Sequence, residues 1–135
     1  MPKPFFQNEL VKLYCGDCLE IIGEAEDSFD VCLTDPPYFV LPKGKGEDRF
    51  EWDSFKSKDD FLDFTRRWLS LIEAHPSLRI LLSFWSAKHL NDGFSVFNPS
   101  RLALWRHPNL INVGGMNDFA YDYEPILVKY YGKPC

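Results

Sequence analysis

Residues 29–38 read FDVCLTDPPY, an apolar run closed by an acid, two prolines and a tyrosine. Proline fixes φ and donates no N–H, so a ladder cannot run through Pro36 and Pro37. Each proline also pushes its predecessor toward extended backbone, which holds Asp35 and Pro36 straight beyond the end of the run. FDVCLT is nearly continuous in apolar character, the pattern of strands buried on both faces in parallel sheets. The expectation is a buried strand over 29–34 that stops abruptly at Asp35.

The flanking segments fit an α/β order. LVKLYC, residues 10–15, reads as a strand. Asp17 with Glu20 three residues on is an acidic capping box, which starts a helix from Cys18 to about Glu24 with Leu19 and Ile22 inward. A crossover of this kind is long enough for parallel pairing of 10–15 with 29–34. Residues 40–56 carry glycine, lysine, proline and acids and read as a loop. Ser57 and Asp60 cap a second helix, in which Phe61, Phe64, Trp68 and Ile72 recur at helical spacing. Pro76 ends it. LRILLSFW, residues 78–85, is a third buried strand, and 86–95 a third helix. Residues 101–106 and 124–131 read as an antiparallel pair. Strand–helix–strand–helix–strand predicts an α/β sheet with right-handed crossovers. Ligands of such sheets gather at the carboxyl ends of strands. Cys15-Gly16-Asp17, Asp35-Pro36-Pro37-Tyr38 and Phe84-Trp85-Ser86 are expected there.

The chain's 135 residues and 45% apolar content suit one domain with a real core. No run approaches the roughly 18 apolar residues of a membrane span, and the N-terminus lacks a signal-peptide stretch. A cytoplasmic protein with no membrane partner is expected. Cys15 and Cys18 form a C-x-x-C, but no second pair completes a zinc set, so they read as reduced thiols and no metal is expected. His75, His89 and His107 read as surface or packing residues. The net charge of −5 does not favour nucleic acid, yet Lys43, Lys45 and Arg49 cluster in the loop that follows Tyr38. By charge alone they read as a solvated loop.

The DPPY stretch suits a planar group bearing NH2. Asp35 and the Pro36 carbonyl can accept its two hydrogens while Tyr38 stacks on the ring. An exocyclic amine of adenine or cytosine is a poor nucleophile because its lone pair is delocalised. Acceptors on both hydrogens favour a more tetrahedral nitrogen, positioned to attack an electrophile held in line. A base reaches such a pocket only after leaving the duplex.

These residues resemble the amino-methyltransferases that modify DNA with S-adenosylmethionine, whose signature is Asp, Asn or Ser, then Pro-Pro and an aromatic after a buried strand. LYCGDCLEII resembles the opening segment of one permuted class, and FEWDSFKSKDDFLDFTRRWL its Trp-Asp segment and helix. YDYEPILVKYYGKP is similar to its late strand. The resemblance implies a Rossmann-like methyltransferase fold, partial, with a mostly parallel sheet and a late antiparallel pair. It implies a catalytic tetrad of Asp35, Pro36, Pro37 and Tyr38, with Asp17, Cys18 and Asp35 toward the cofactor. Phe39, Lys43, Lys45 and Arg49 would meet double-stranded DNA, while Trp52 and Asp53 have no assigned chemistry. DPPY leans toward N6 of adenine rather than N4 of cytosine.

The family's Gly-rich cofactor turn, Phe-x-Gly-x-Gly, has no counterpart in this sequence, and Gly114-Gly115 does not fit it. The chain is therefore expected to be an incomplete catalytic domain, with a second chain or a C-terminal portion supplying that turn. Two other readings stay open. One is an inactive remnant or subunit that binds DNA or a partner. The other is an N4-cytosine, RNA or protein-glutamine methyltransferase.

Overall fold

The computed structural model describes residues 3–24, 28–39, 53–106 and 123–132. Its main sheet has four strands: β3 (Val31–Thr34), β4 (Ile80–Phe84), β5 (Arg101–Arg106) and β6 (Tyr123–Tyr130), in the order β3-β4-β6-β5. A separate hairpin, β1 (Phe6–Gln7) and β2 (Lys12–Leu13), precedes them. The helices are α1 (Cys18–Glu24), α2 (Lys58–Glu73) and α3 (Leu90–Phe97), the last entered through a short 3-10 turn at Ala87–His89. The architecture is α/β with a mixed sheet.

β3 and β4 run parallel, with Val31 opposite Ile80 and Thr34 opposite Ser83. β6 is antiparallel to both β4 and β5, which delivers the late antiparallel pair expected from 101–106 and 124–131. The parallel partner expected from 10–15 does not form. Asn8 accepts hydrogen bonds from the Leu10 and Val11 N–H groups at 2.9 and 2.7 Å, which closes a local turn. Phe5 N then bonds Leu13 O, and the segment is taken up by its own hairpin rather than by the sheet. Cys15-Gly16-Asp17 therefore does not follow a strand of the main sheet, contrary to expectation.

Burial of β3 on both faces is also corrected. Val31 is 53% and Leu33 66% exposed, whereas Cys32 and Thr34, on the opposite face, are half-buried. β3 is an edge strand among the described residues, and only its Cys32 and Thr34 face is packed.

The core lies between the sheet and α2 and α3. Phe61, Trp68, Leu69 and Ile72 of α2 meet Leu81, Trp85, Phe97 and Leu127 there. Ser57 starts α2 by accepting from Asp60 N at 3.1 Å, the cap expected from the sequence. The chain beyond α2 turns at His75, whose ring lies 4.3 Å from that of Phe29. α3 ends at Asn98, a left-handed residue (φ 46°) whose N–H returns to Phe94 O.

α3 lies close to the sheet because Gly93 has no side chain. A Cβ there would stand 2.6 Å from Trp85 Nε1 and 2.9 Å from Leu127 Cδ1, both on buried side chains. Alanine is the better helix former by up to about 1 kcal/mol, but forced overpacking of a core costs about 1–3 kcal/mol. Gly93→Ala is therefore expected to destabilise the chain by about 1 kcal/mol or more. Thermal unfolding followed by circular dichroism checks this through a lowered midpoint.

Candidate functional site

The tetrad leaves the sheet where the prolines require it. Thr34 is the last residue of β3, and Asp35 to Phe39 continue without a ladder partner. Asp35 is exposed, and Pro36 to Phe39 are half-buried. The Tyr38 hydroxyl lies 2.5 Å from Asp35 Oδ1 and 2.5 Å from Glu124 Oε1. Glu124 stands in β6 opposite Trp105 of β5, whose ring lies 5.4 Å from Phe84 at the end of β4. The tetrad is thus tied across to β6, with two aromatic rings near the tie.

Burial raises the Tyr38 phenol well above its ordinary value. The hydrogen bonds to Asp35 and Glu124, and the negative charge of both, raise it further. Both carboxylates stabilise the protonated phenol and oppose the phenolate.

Phe39 adopts a left-handed backbone conformation. It is one of the two non-glycine residues with positive φ among those described, at 54°. That left-handed conformation costs roughly 1–2 kcal/mol for an L-residue. Its two backbone groups are each held by a side chain. The N–H donates to Asp53 Oδ1 at 2.6 Å, and the carbonyl lies 3.2 Å from His89 Nε2. Asp53 is only 3% exposed. His89 Nδ1 lies 3.2 Å from Asp92 Oδ2, and Lys58 Nζ lies 2.7 Å from Asp92 Oδ1. Both imidazole nitrogens therefore face acceptors; the neutral ring donates to one of them and the imidazolium to both.

The Phe39 ring was expected against DNA. It stacks instead on Phe61 at 5.6 Å and meets Phe55 edge-on at 6.0 Å, so its side chain anchors the turn to the core. Asp17 accepts from Leu19 N at 2.8 Å and caps α1. Burial and then the Asp17 charge push the Cys18 thiol up, which keeps it protonated rather than an activated thiolate. No contact brings Asp17 or Cys18 together with the tetrad among the described residues. Lys43, Lys45, Arg49, Trp52, His107 and Gly114-Gly115 lie outside the described residues. No group of three or more His, Cys, Asp or Glu suited to a metal occurs among those described. No described helix is long and apolar enough to cross a membrane.

No family model matches the chain. Among curated proteins, it is 29% identical over 105 residues to the Type II methyltransferase M2.LlaDCHI of Lactococcus lactis subsp. cremoris, covering 71% of this chain and 38% of that protein. It is 24% identical over 147 aligned positions to the Type II methyltransferase M2.MboI of Moraxella bovis, covering 93% of this chain and 52% of that one. A third such relative, M.HinfI of Haemophilus influenzae, is 26% identical over 141 positions, covering 90% of this chain and 38% of the relative. All three are Type II methyltransferases, and the chain is similar to them at 24–29% identity. A solved structure described as the M1.HpyAVI–SAM complex aligns with a TM-score of 0.48 at 21% identity, covering 90% of this chain and 58% of that one. The chain spans 38–52% of the length of these three curated relatives.

Three residues around the tetrad escaped the sequence reading. Asp53 lay in a segment with no assigned chemistry, and His89 read as packing. Glu124 was visible only as part of the Glu-Pro strand. No local pattern marks them, because each acts on a residue 14, 50 or 86 positions away. The positive φ of Phe39 is what Asp53 and His89 support, and φ is not written in the sequence.

Two measurements follow from these contacts. Tyr38 is expected to stay protonated through the ordinary tyrosine range near pH 10. Tyr38→Phe should then leave the absorbance rise of an alkaline titration unchanged across that range. Asp92 titrates in the opposite sense. Burial works to raise its carboxyl, but the hydrogen bonds and charges of Lys58 and His89 hold it below the ordinary 3.8. A group depressed in the folded state stabilises above its unfolded value and ceases to do so as pH falls through the folded one. Asp92→Asn should destabilise by about 1 kcal/mol at pH 7. In urea unfolding the gap between variant and wild type should close as pH drops below 3.8.

Proposed function

We propose that this chain carries the amine-methylating centre of a DNA methyltransferase acting on N6 of adenine. The observation that carries the reading is the tetrad at the carboxyl end of β3, where Asp35 is exposed and tied to Tyr38 beside it. The Type II relatives support DNA as the partner.

Asp35 accepts one hydrogen of the target amine, and the Pro36 carbonyl accepts the other. Pro36 and Pro37 contribute by donating nothing, so the acceptors are not consumed by their own backbone. Tyr38 offers its ring face to a flipped base. Lys43, Lys45 and Arg49 meet phosphates in this reading, and Phe39 acts by fixing the turn beneath the base.

S-adenosylmethionine is the cofactor this reading requires, and when bound it supplies an electrophilic methyl group. The residues of this chain that fit its adenosine end are Asp17 and Cys18. Asp17 presents an exposed carboxylate at a helix start, with one oxygen spent on the Leu19 N–H. Such a group accepts hydrogen bonds of the kind ribose hydroxyls donate.

A second reading rests on the absence of Phe-x-Gly-x-Gly from the sequence. In it the chain supplies the amine-holding half and a second polypeptide segment supplies the cofactor turn, without which the chain only binds DNA.

The test is expression in a host devoid of adenine and cytosine methylation, followed by nucleoside analysis of its DNA. N6-methyladenine is the expected product. Asp35→Ala should lower it by about a hundredfold or more, the usual cost of losing a group aimed at developing charge. N4-methylcytosine would move the substrate to cytosine. Undiminished methylation by Asp35→Ala would sink the role of the tetrad, and no methylation at all would favour the second reading.

A further inference from the structure

The segment from Asp35 to Phe39 is held at both ends. At its near end Thr34 pairs with Ser83 in the β3–β4 ladder. At its far end the Phe39 N–H meets Asp53 and the Phe39 carbonyl meets His89. Between these holds, Pro36 and Pro37 have their φ angles fixed by their rings. Few free torsions remain, so the place of the far hold decides where the Asp35 carboxylate and the Pro36 carbonyl lie.

His89 is well fixed itself. Its side chain is only 12% exposed, and its ring centroid lies 5.8 Å from that of Phe39 and 5.9 Å from that of Phe61 in the core. Its Nδ1 lies 3.2 Å from Asp92 of α3, and Asp92 pairs in turn with Lys58, the first residue of α2. The imidazole is therefore anchored to two helices, and its other nitrogen is aimed at Phe39. A carbonyl only accepts, so the contact at 3.2 Å requires a hydrogen on Nε2.

We propose that His89 is a positioning residue of the amine site: it donates from Nε2 to the Phe39 carbonyl and thereby sets where Asp35 and the Pro36 carbonyl meet the substrate amine. This rests on the reading of Asp35 and Pro36 as the amine acceptors. His89 does not touch the substrate, and no covalent bond forms or breaks at it. The proposal separates a positioning role from a packing role. A ring that only fills space can be replaced by any side chain of similar reach and bulk. A positioning donor can be replaced only by a side chain that puts an N–H in the same place. Glutamine and methionine have similar reach and volume, and only glutamine carries a donor at its end.

The test uses the whole chain with adenosine as the probe, and N6,N6-dimethyladenosine as a control that keeps the ring but lacks amine hydrogens. Affinities are measured by calorimetry below the thermal midpoint of each variant. His89→Met is expected to weaken adenosine about tenfold, the scale of one hydrogen bond. It should leave the control ligand unchanged. His89→Gln should bind adenosine close to wild type. In the unsubstituted chain, NMR of histidine labelled at its ring nitrogens should find a hydrogen on His89 Nε2, with His75→Gln and His107→Gln assigning the signal. That last measurement needs no variant at position 89, so it decides the matter even where such a variant does not fold.

Three results overturn the inference alone. One is equal adenosine affinity of His89→Gln and His89→Met. Another is equal weakening of adenosine and the control ligand by His89→Met. The third is an Nε2 without hydrogen. A wild-type chain that binds adenosine no better than the control ligand, or whose preference survives Asp35→Ala, overturns the amine-site reading and the inference with it.

Discussion

Two consecutive residues without an N–H decide the shape of this site. Pro36 and Pro37 cannot add to the β3 ladder, so the chain must leave the sheet at Thr34. A leaving strand needs new partners within a few residues, and here each comes from a different element. Tyr38 finds Glu124 in β6, and the Phe39 backbone finds Asp53 and His89. The segment is thus neither strand nor free loop. It is a short span of backbone pinned at its far end, with the Asp35 side chain exposed.

Much of the frame could be read from the chain itself. The α2 helix was written in the spacing of Phe61, Trp68 and Ile72, and its start in Ser57. Residues 101–106 and 124–131 read as an antiparallel pair, and they form one. The errors share one origin. LVKLYC and FDVCLT have the composition of central strands, but composition says nothing about who the neighbours are. Asn8 captured the first into a hairpin, and the second has no strand on its outer edge among the described residues. Local apolar content reports a wish to be covered, and tertiary pairing decides whether it is met.

The site divides in the same way. The tetrad was legible because proline, acid and aromatic carry their physics with them. Its supports were not, because a carboxylate that receives a backbone N–H from 14 residues away looks like any surface acid in the sequence. Asp53 shows this best: its side-chain type is that of an ordinary surface acid, and yet it is buried.

The left-handed Phe39 carries a consequence for how this protein can change over generations. Its ring serves the core and its backbone serves the turn, so the position answers to two selective pressures at once. A glycine there would ease the backbone but empty a place against Phe61 and Phe55. The acid at 53 and the ring at 89 hold only the N–H and carbonyl of residue 39, groups that every residue but proline carries. They therefore tie the backbone whatever side chain it bears, and the identity of residue 39 answers to the packing against Phe61 and Phe55.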